Sequence, residues 1–237
     1  MDRQTNLFGQ NLGVTQIVSS ESKTGKKRYV FVDDNTQFKD YVPLGGAIKN
    51  AFYPGDKVYQ GDLCEFNLKK QEITVLRTFK VAKNVTASDT SVLVERNEFL
   101  HIPHVGMILM KAPTSLTGTG TAGAVTAVEA TTSLTEGDTY TLTITANAMG
   151  TLTKGDILVE AVEAGATKKM LVQNPNTFFE KDIVFNYNPN TSSTGVNGAI
   201  QVYSPIQHAK CWENRMSPLP ACVKAINKSR IDGLFEL

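Results

Sequence analysis

Between Lys111 and Lys154 the chain carries no lysine, arginine or histidine, yet it holds fourteen threonines. β-Branched side chains are stiff at χ1 and fit a pleated surface better than a helix. A stretch so rich in them and so poor in cations favours sheet, and it offers little from which to assemble an active site. Within it, Tyr140-Thr-Leu-Thr-Ile-Thr145 alternates strictly, setting Leu142 and Ile144 against Thr141, Thr143 and Thr145. A period of two marks a half-buried strand.

Similar short runs recur along the chain. They include Tyr29-Val-Phe-Val32, Ile73-Thr-Val-Leu76, Phe79-Lys-Val-Ala82, Val92-Leu-Val94 and Met107-Ile-Leu-Met110. Ile157-Leu-Val-Glu-Ala-Val162, Ile183-Val-Phe-Asn-Tyr187 and Ala199-Ile-Gln-Val-Tyr203 continue the series. Gly-Asp pairs at 55–56, 61–62, 137–138 and 155–156 precede several strands, and Asn174-Pro175 and Asn188-Pro189 add turn signals. Many short strands between turns predict a mainly β chain, built as barrel or sandwich modules. Its 237 residues suffice for one large core or two smaller ones.

The composition divides the chain. Residues 1–45, mostly polar and broken by glycine, are expected to form an extended N-terminal arm with one strand at 29–32. Residues 46–82 together with 166–237 form one β unit, and 83–165 form a Thr-rich β module. The polar stretch 186–198 reads as a loop. Near the C-terminus, Cys222, Ala225 and Ile226 fall at helical spacing, predicting a short helix stopped near Gly233. The final Leu234-Phe-Glu-Leu237 is apolar enough to dock on this subunit or a neighbour.

Charge and motifs narrow the function. A net charge of +1 lacks the cationic excess of a dedicated nucleic-acid binder, and the cluster Lys23, Lys26, Lys27 and Arg28 reads as a solvated loop. No apolar run approaches the ~20 residues of a membrane span, and Met1-Asp-Arg-Gln-Thr-Asn-Leu-Phe lacks the apolar core of a secretory signal. Cys64, Cys211 and Cys222 show no zinc-ligand spacing. Cys211 and Cys222 could bridge, but reduced, partly buried thiols are expected. Pro54-Gly-Asp-Lys-Val-Tyr-Gln-Gly-Asp-Leu-Cys64 repeats a turn-then-strand step. It resembles the hairpin of biotinyl and lipoyl carrier domains, but Met110-Lys111 lacks the setting of their modified lysine.

His101-Ile-Pro-His104 has a metal-like spacing, but Pro103 breaks the helix that would align the imidazoles. Glu98 and His208 are the candidates for a third ligand, and a polar loop rim is the expected reading. Gly118-Thr-Gly-Thr-Ala-Gly123 lacks the following helix of a phosphate loop and reads as a flexible hairpin tip. No nucleophile elbow occurs. Trp212, the sole tryptophan, is expected in the core or at a subunit interface. No catalytic, cofactor-binding or metal-ligating residue is assigned, and no enzyme activity is expected.

Three segments carry a family resemblance: Thr86-Ala-Ser-Asp-Thr-Ser-Val-Leu-Val-Glu95, Val105-Gly-Met-Ile-Leu109 and Thr153-Lys-Gly-Asp-Ile-Leu-Val-Glu-Ala161. They resemble a recurrent module of tailed-bacteriophage capsid proteins, namely auxiliary (decoration) and head-fibre proteins, including those of crAss-like phages. Tyr41-Val-Pro-Leu-Gly45 is similar to a step upstream of such modules. In the middle segment Met107 stands where the family has aspartate. The resemblance implies a virion location on the capsid surface after synthesis in the host cytoplasm. It further implies binding to the major capsid protein and trimeric or other symmetric assembly with copies of the same chain, in the company of head-fibre proteins. No cofactor, nucleic acid or membrane is implied. Two roles stay open: reinforcement of capsid seams, or a head fibre or adhesin that reaches the host surface.

Overall fold

The computed structural model describes residues 16–18, 30–31, 41–42, 45–145, 149–185, 202–207, 209–230 and 233–236. Strand accounts for 46% of it and helix for 5%, so the chain is mainly β. In chain order the first strands are β1 (Gln16–Val18), β2 (Gly46–Ile48), β3 (Lys57–Val58), β4 (Leu63–Asn67), β5 (Glu72–Val75) and β6 (Thr78–Lys80). β7 (Ser91–Glu95), β8 (Ile108–Lys111), β9 (Thr119–Ser133), β10 (Gly137–Ile144), β11 (Ile157–Glu160) and β12 (Gly165–Lys169) follow. β13 (Thr177–Phe178), β14 (Asp182–Val184), β15 (Val202–Tyr203) and β16 (Ala209–Trp212) precede the helix α1 (Ala221–Arg230), and β17 (Gly233–Glu236) comes last.

Six strands lie side by side in the order β6-β11-β8-β9-β10-β7, each pair antiparallel. The two ends of this series then meet. Val81 bridges Val94, and the Ala82 N–H donates to the Leu93 carbonyl at 2.8 Å. The sheet is thereby a closed barrel, which removes the exposed edges an open sheet would present. Its interior holds Phe79, Val81, Val92, Val94, Leu109, Leu142, Ile144 and Leu158. The alternation read in β10 places Leu142 and Ile144 inside, while Thr143 and Thr145 stay exposed.

Beside the barrel lie a five-stranded sheet, β13-β4-β5-β2-β15, and a three-stranded one, β1-β14-β3. β2 runs parallel to β5, and the other pairs of these two sheets are antiparallel. They enclose Ile48, Phe66, Ile73, Val75 and Phe179, with the rings of Phe52 and Phe185 stacked 4.3 Å apart. A third cluster runs between the two bodies, drawing Met110 and Val159 from the barrel, Leu63 and Phe178 from the sheet, and Val223 from α1.

Several details differ from the sequence reading. The glycine-rich 118–123 segment is no hairpin tip, because Thr119 opens β9, which at 15 residues is the longest strand described. A Cβ at Gly120 would stand 2.8 Å from Met110 Cε, so glycine here serves close packing between strands rather than a turn. Helix α1 turns Cys222 and Val223 inward, but Ala225 is exposed. The expected docking of the last residues is seen for Gly233–Glu236, whose backbone pairs in parallel with Ala209–Trp212 of the same chain. Trp212 is half-buried, with the Arg215 guanidinium 5.7 Å from its ring. Of the strand expected at 29–32, Phe31 forms an isolated bridge with Cys211. Most of the expected arm, the Lys23–Arg28 cluster, the 186–198 loop and His208 lie outside the described residues.

Candidate functional site

One turn occurs four times, at 53–56, 59–62, 104–107 and 153–156. In each, the N–H of the fourth residue donates to the carbonyl of the first, over 3.0–3.2 Å. Glycine occupies the third position with φ of +96, +81, +89 and +94°. Side chains with a Cβ pay about 1–2 kcal/mol to enter this left-handed region. At three of the turns an aspartate carboxylate accepts the first residue's N–H: Tyr53 to Asp56 at 2.8 Å, Tyr59 to Asp62 at 2.6 Å and Thr153 to Asp156 at 2.7 Å. At the fourth, Met107 stands where the resemblance expects aspartate, and its Sδ accepts the His104 N–H at 3.3 Å. The turn thus survives the loss of the carboxylate. The Gly137-Asp138 pair is different, since Asp138 accepts instead from Thr132 Oγ1 at 2.8 Å and lies 3.6 Å from Arg96 Nη2.

Each of the four turns also exchanges two backbone hydrogen bonds with one residue distant in sequence. Gly55 and Asp56 pair with Phe185, Gly61 and Asp62 with Phe179, Gly106 and Met107 with Val125, and Gly155 and Asp156 with Val81, at 2.7–2.9 Å. A side chain would be strained by φ at each of these glycines, but the space around them differs. A Cβ at Gly155 meets nothing within 4 Å, but one at Gly61 would lie 2.4 Å from Val30 Cγ1. Gly155→Ala is therefore expected to cost about 1–2 kcal/mol. Gly61→Ala should lose a further ~1–3 kcal/mol through the forced shift of Val30. Urea titration of both variants measures the difference, and equal losses would show that the Val30 contact gives way freely.

The two imidazoles of His101-Ile-Pro-His104 do not converge on a metal. They separate onto the two carboxylates of the Gly-Asp repeat. His101 Nε2 lies 2.9 Å from Asp62 Oδ2, and His104 Nε2 lies 2.7 Å from Asp56 Oδ1. His101 and Asp62 are only 2% exposed each. The Thr78 N–H donates to His101 Nδ1 at 3.4 Å, which leaves Nε2 to carry the proton toward Asp62. Ser217 Oγ donates to the other Asp62 oxygen at 2.5 Å. A serine, an aspartate and a histidine therefore meet, but in the wrong order for nucleophilic attack, which needs the serine on the imidazole. His104, partly exposed, packs against Tyr53 with ring centroids 4.4 Å apart and the planes tilted by 40°.

A buried ion pair that the sequence reading missed joins barrel to sheet. Arg77 Nε and Nη2 donate to the two Glu160 oxygens at 2.8 and 2.5 Å, and Nη1 donates to the Ala51 carbonyl at 2.7 Å. Asn50 Nδ2 donates to Glu160 at 3.0 Å, and its Oδ1 accepts the Val75 N–H at 2.6 Å. Phe52 lies 4.7 Å beneath the guanidinium. Single charges inside the apolar runs 73–79 and 157–162 were the available signal, because a charge on a buried strand requires a partner. Above the pair opens a cleft of about 340 Å³, rimmed by Tyr53, Val105 and Val162. These three are 40, 57 and 54% exposed.

The remaining candidates engage locally. Burial pushes the Cys64 thiol up to about 12, away from thiolate chemistry near neutrality. Lys111 is not at a hairpin tip: it ends β8, and its Nζ lies 2.6 Å from Asp156 Oδ2. Burial opposes ionisation of Asp156, but the bonds from Lys111 and Thr153 outweigh it and hold the carboxyl below the usual carboxylate range. Among the described residues, no group of three or more His, Cys, Asp and Glu side chains is placed to hold a metal ion. No family model, curated protein or solved structure matches the chain.

Proposed function

We propose that this chain is a structural virion protein that binds the outer surface of a phage capsid through the major capsid protein and reinforces the seams between subunits. One observation carries the reading. The imidazoles and carboxylates of its motifs bond one another inside the fold, whereas apolar side chains remain outside, at a cleft rim and a hairpin tip. Such a body adheres through shape and apolar contact rather than transforming a substrate. The three capsid-like segments supply β7, β8 and β11 of a closed barrel, with two of the repeated turns. A barrel tied at its turns is stiff, as a seam-spanning element must be.

The test is binding of the purified chain to capsids stripped of it, by co-sedimentation. Saturable binding and a higher rupture temperature are expected, together with high copy number in mass spectra of purified particles. Absence from particles, or a catalytic turnover traced to this chain's side chains, would overturn the proposal. The second reading, a head fibre or adhesin, draws support from Tyr53, an exposed ring that a sugar could stack on. Glycan-array binding that Tyr53→Ala abolishes would favour it.

A further inference from the structure

Two cavities adjoin on one side of this protein. The cleft of about 340 Å³ above the Arg77–Glu160 pair shares Lys49, Thr74 and Leu171 with a second cavity of about 170 Å³. The second cavity is walled by Glu65, Asn67, Lys70 and Glu72, from β4, β5 and the turn between them. Together they make one groove that starts at Tyr53 and crosses the side of the sheet where Thr74 lies opposite Glu65. Its size falls in the range of roughly 300–1,000 Å³ common to ligand pockets.

One end of the groove is an aromatic platform. The Tyr53 N–H donates to Asp56 at 2.8 Å, and its ring packs on His104 with centroids 4.4 Å apart. The ring is therefore fixed in place, which lowers the entropy lost when something covers it. The polar groups of the groove have valences left over. A carboxylate has about four lone-pair sites and a guanidinium has five N–H groups. Arg77 and Asn50 fill three of the sites on Glu160, and Arg77 spends three of its hydrogens on Glu160 and Ala51. Thr74, where the cavities join, is half-buried, and its hydroxyl forms no hydrogen bond among the described residues.

These features select a ligand that has both an apolar face and hydroxyls. An apolar side chain would cover Tyr53 but leave Thr74 and the floor unmatched, at a desolvation cost. Charge is balanced along the whole groove. The floor pair cancels, Lys49 lies 3.5 Å from Glu72, and the smaller cavity sets Lys49 and Lys70 against Glu65 and Glu72. No net charge remains to hold an ion. We propose that the groove binds a short neutral oligosaccharide, with one sugar ring on Tyr53 and sugar hydroxyls on Thr74 and the Arg77–Glu160 pair. This deepens the second reading above, and it rests on that reading only for where the sugar comes from.

The experiment is a glycan array probed with the full chain, followed by calorimetry with the neutral oligosaccharides it selects and with sialyllactose and heparin fragments as anionic controls. Circular dichroism confirms that each variant is folded. Binding to neutral glycans is expected, and Tyr53→Phe, which keeps the ring, should retain it. Tyr53→Ala should weaken it about tenfold. Thr74→Val, which has nearly the same shape without the hydroxyl, should weaken it roughly fivefold. An array on which nothing binds overturns the inference, as does preference for the anionic glycans. Binding that Thr74→Val and Tyr53→Ala leave unchanged also overturns it, while an adhesin using another site would stand. Conversely, groove binding by a chain whose particles do not attach to host cells keeps the site and removes the adhesin.

Discussion

Glu160→Ala is expected to lower the unfolding free energy by about 3–5 kcal/mol, because it strands the Arg77 guanidinium in the interior. Arg77 is 4% exposed, and Glu160 satisfies it from two directions. In a chain of this size the loss corresponds to a fall in Tm of roughly 6–20 °C. The effect belongs to the orphaned charge rather than to the pair itself. Replacing both partners, as Arg77→Met with Glu160→Leu, should therefore recover most of the stability. Thermal unfolding of single and double variants tests this. A double variant as unstable as Glu160→Ala would show that the hydrogen bonds to Asn50 and Ala51 matter more than charge. The pair spans β11 and the segment after β5, so its loss should also loosen the wall of the cleft.

The second large effect is expected at Asp62. Its two oxygens receive the Tyr59 N–H, His101 Nε2 and Ser217 Oγ, all in a buried setting. Asp62→Ala leaves these donors without an acceptor, at about 1–3 kcal/mol for each that finds no water. A total of about 3–5 kcal/mol is expected by urea titration. Asp156→Ala, in another copy of the same turn where the carboxylate is partly exposed and water can reach the donors it leaves, should cost only about 1–1.5 kcal/mol. The histidine supplies an independent readout. Nitrogen NMR of the wild type should report His101 with its proton on Nε2, as the Thr78 contact on Nδ1 requires. A proton on Nδ1 would contradict the geometry, and similar losses for the two aspartates would show that burial is not what separates them.

How far the sequence foretold this follows from the range of each interaction. The alternation in β10 and the Gly-Asp turns are local, and both are found where the residues place them. Barrel and sandwich could not be told apart from the chain, because closure depends on Val81 meeting Val94 across strands whose own patterns are the same in either architecture. β9 was misread because Gly120 and Gly123 look like turn residues. The reason for Gly120 is Met110, a neighbour on another strand that no local window contains. In the same way, His101 and His104 were weighed against each other as metal ligands, whereas their partners are Asp62 and Asp56. Both halves of that lock were singled out, one as a turn repeat and one as an imidazole pair, but only the fold brings them together. Met107 looked like a defect in the turn pattern, and its sulfur fills the vacant acceptor role.

The repeated turns carry a consequence for the order of events during synthesis. The turns at 104–107 and 153–156 find their partners, Val125 and Val81, within the barrel's own stretch of chain. Those at 53–56 and 59–62 must wait for Phe185 and Phe179, more than a hundred residues later. A ribosome therefore releases a barrel able to close while the earlier glycine turns still lack half their hydrogen bonds, and residues 179–185, made later, then complete them.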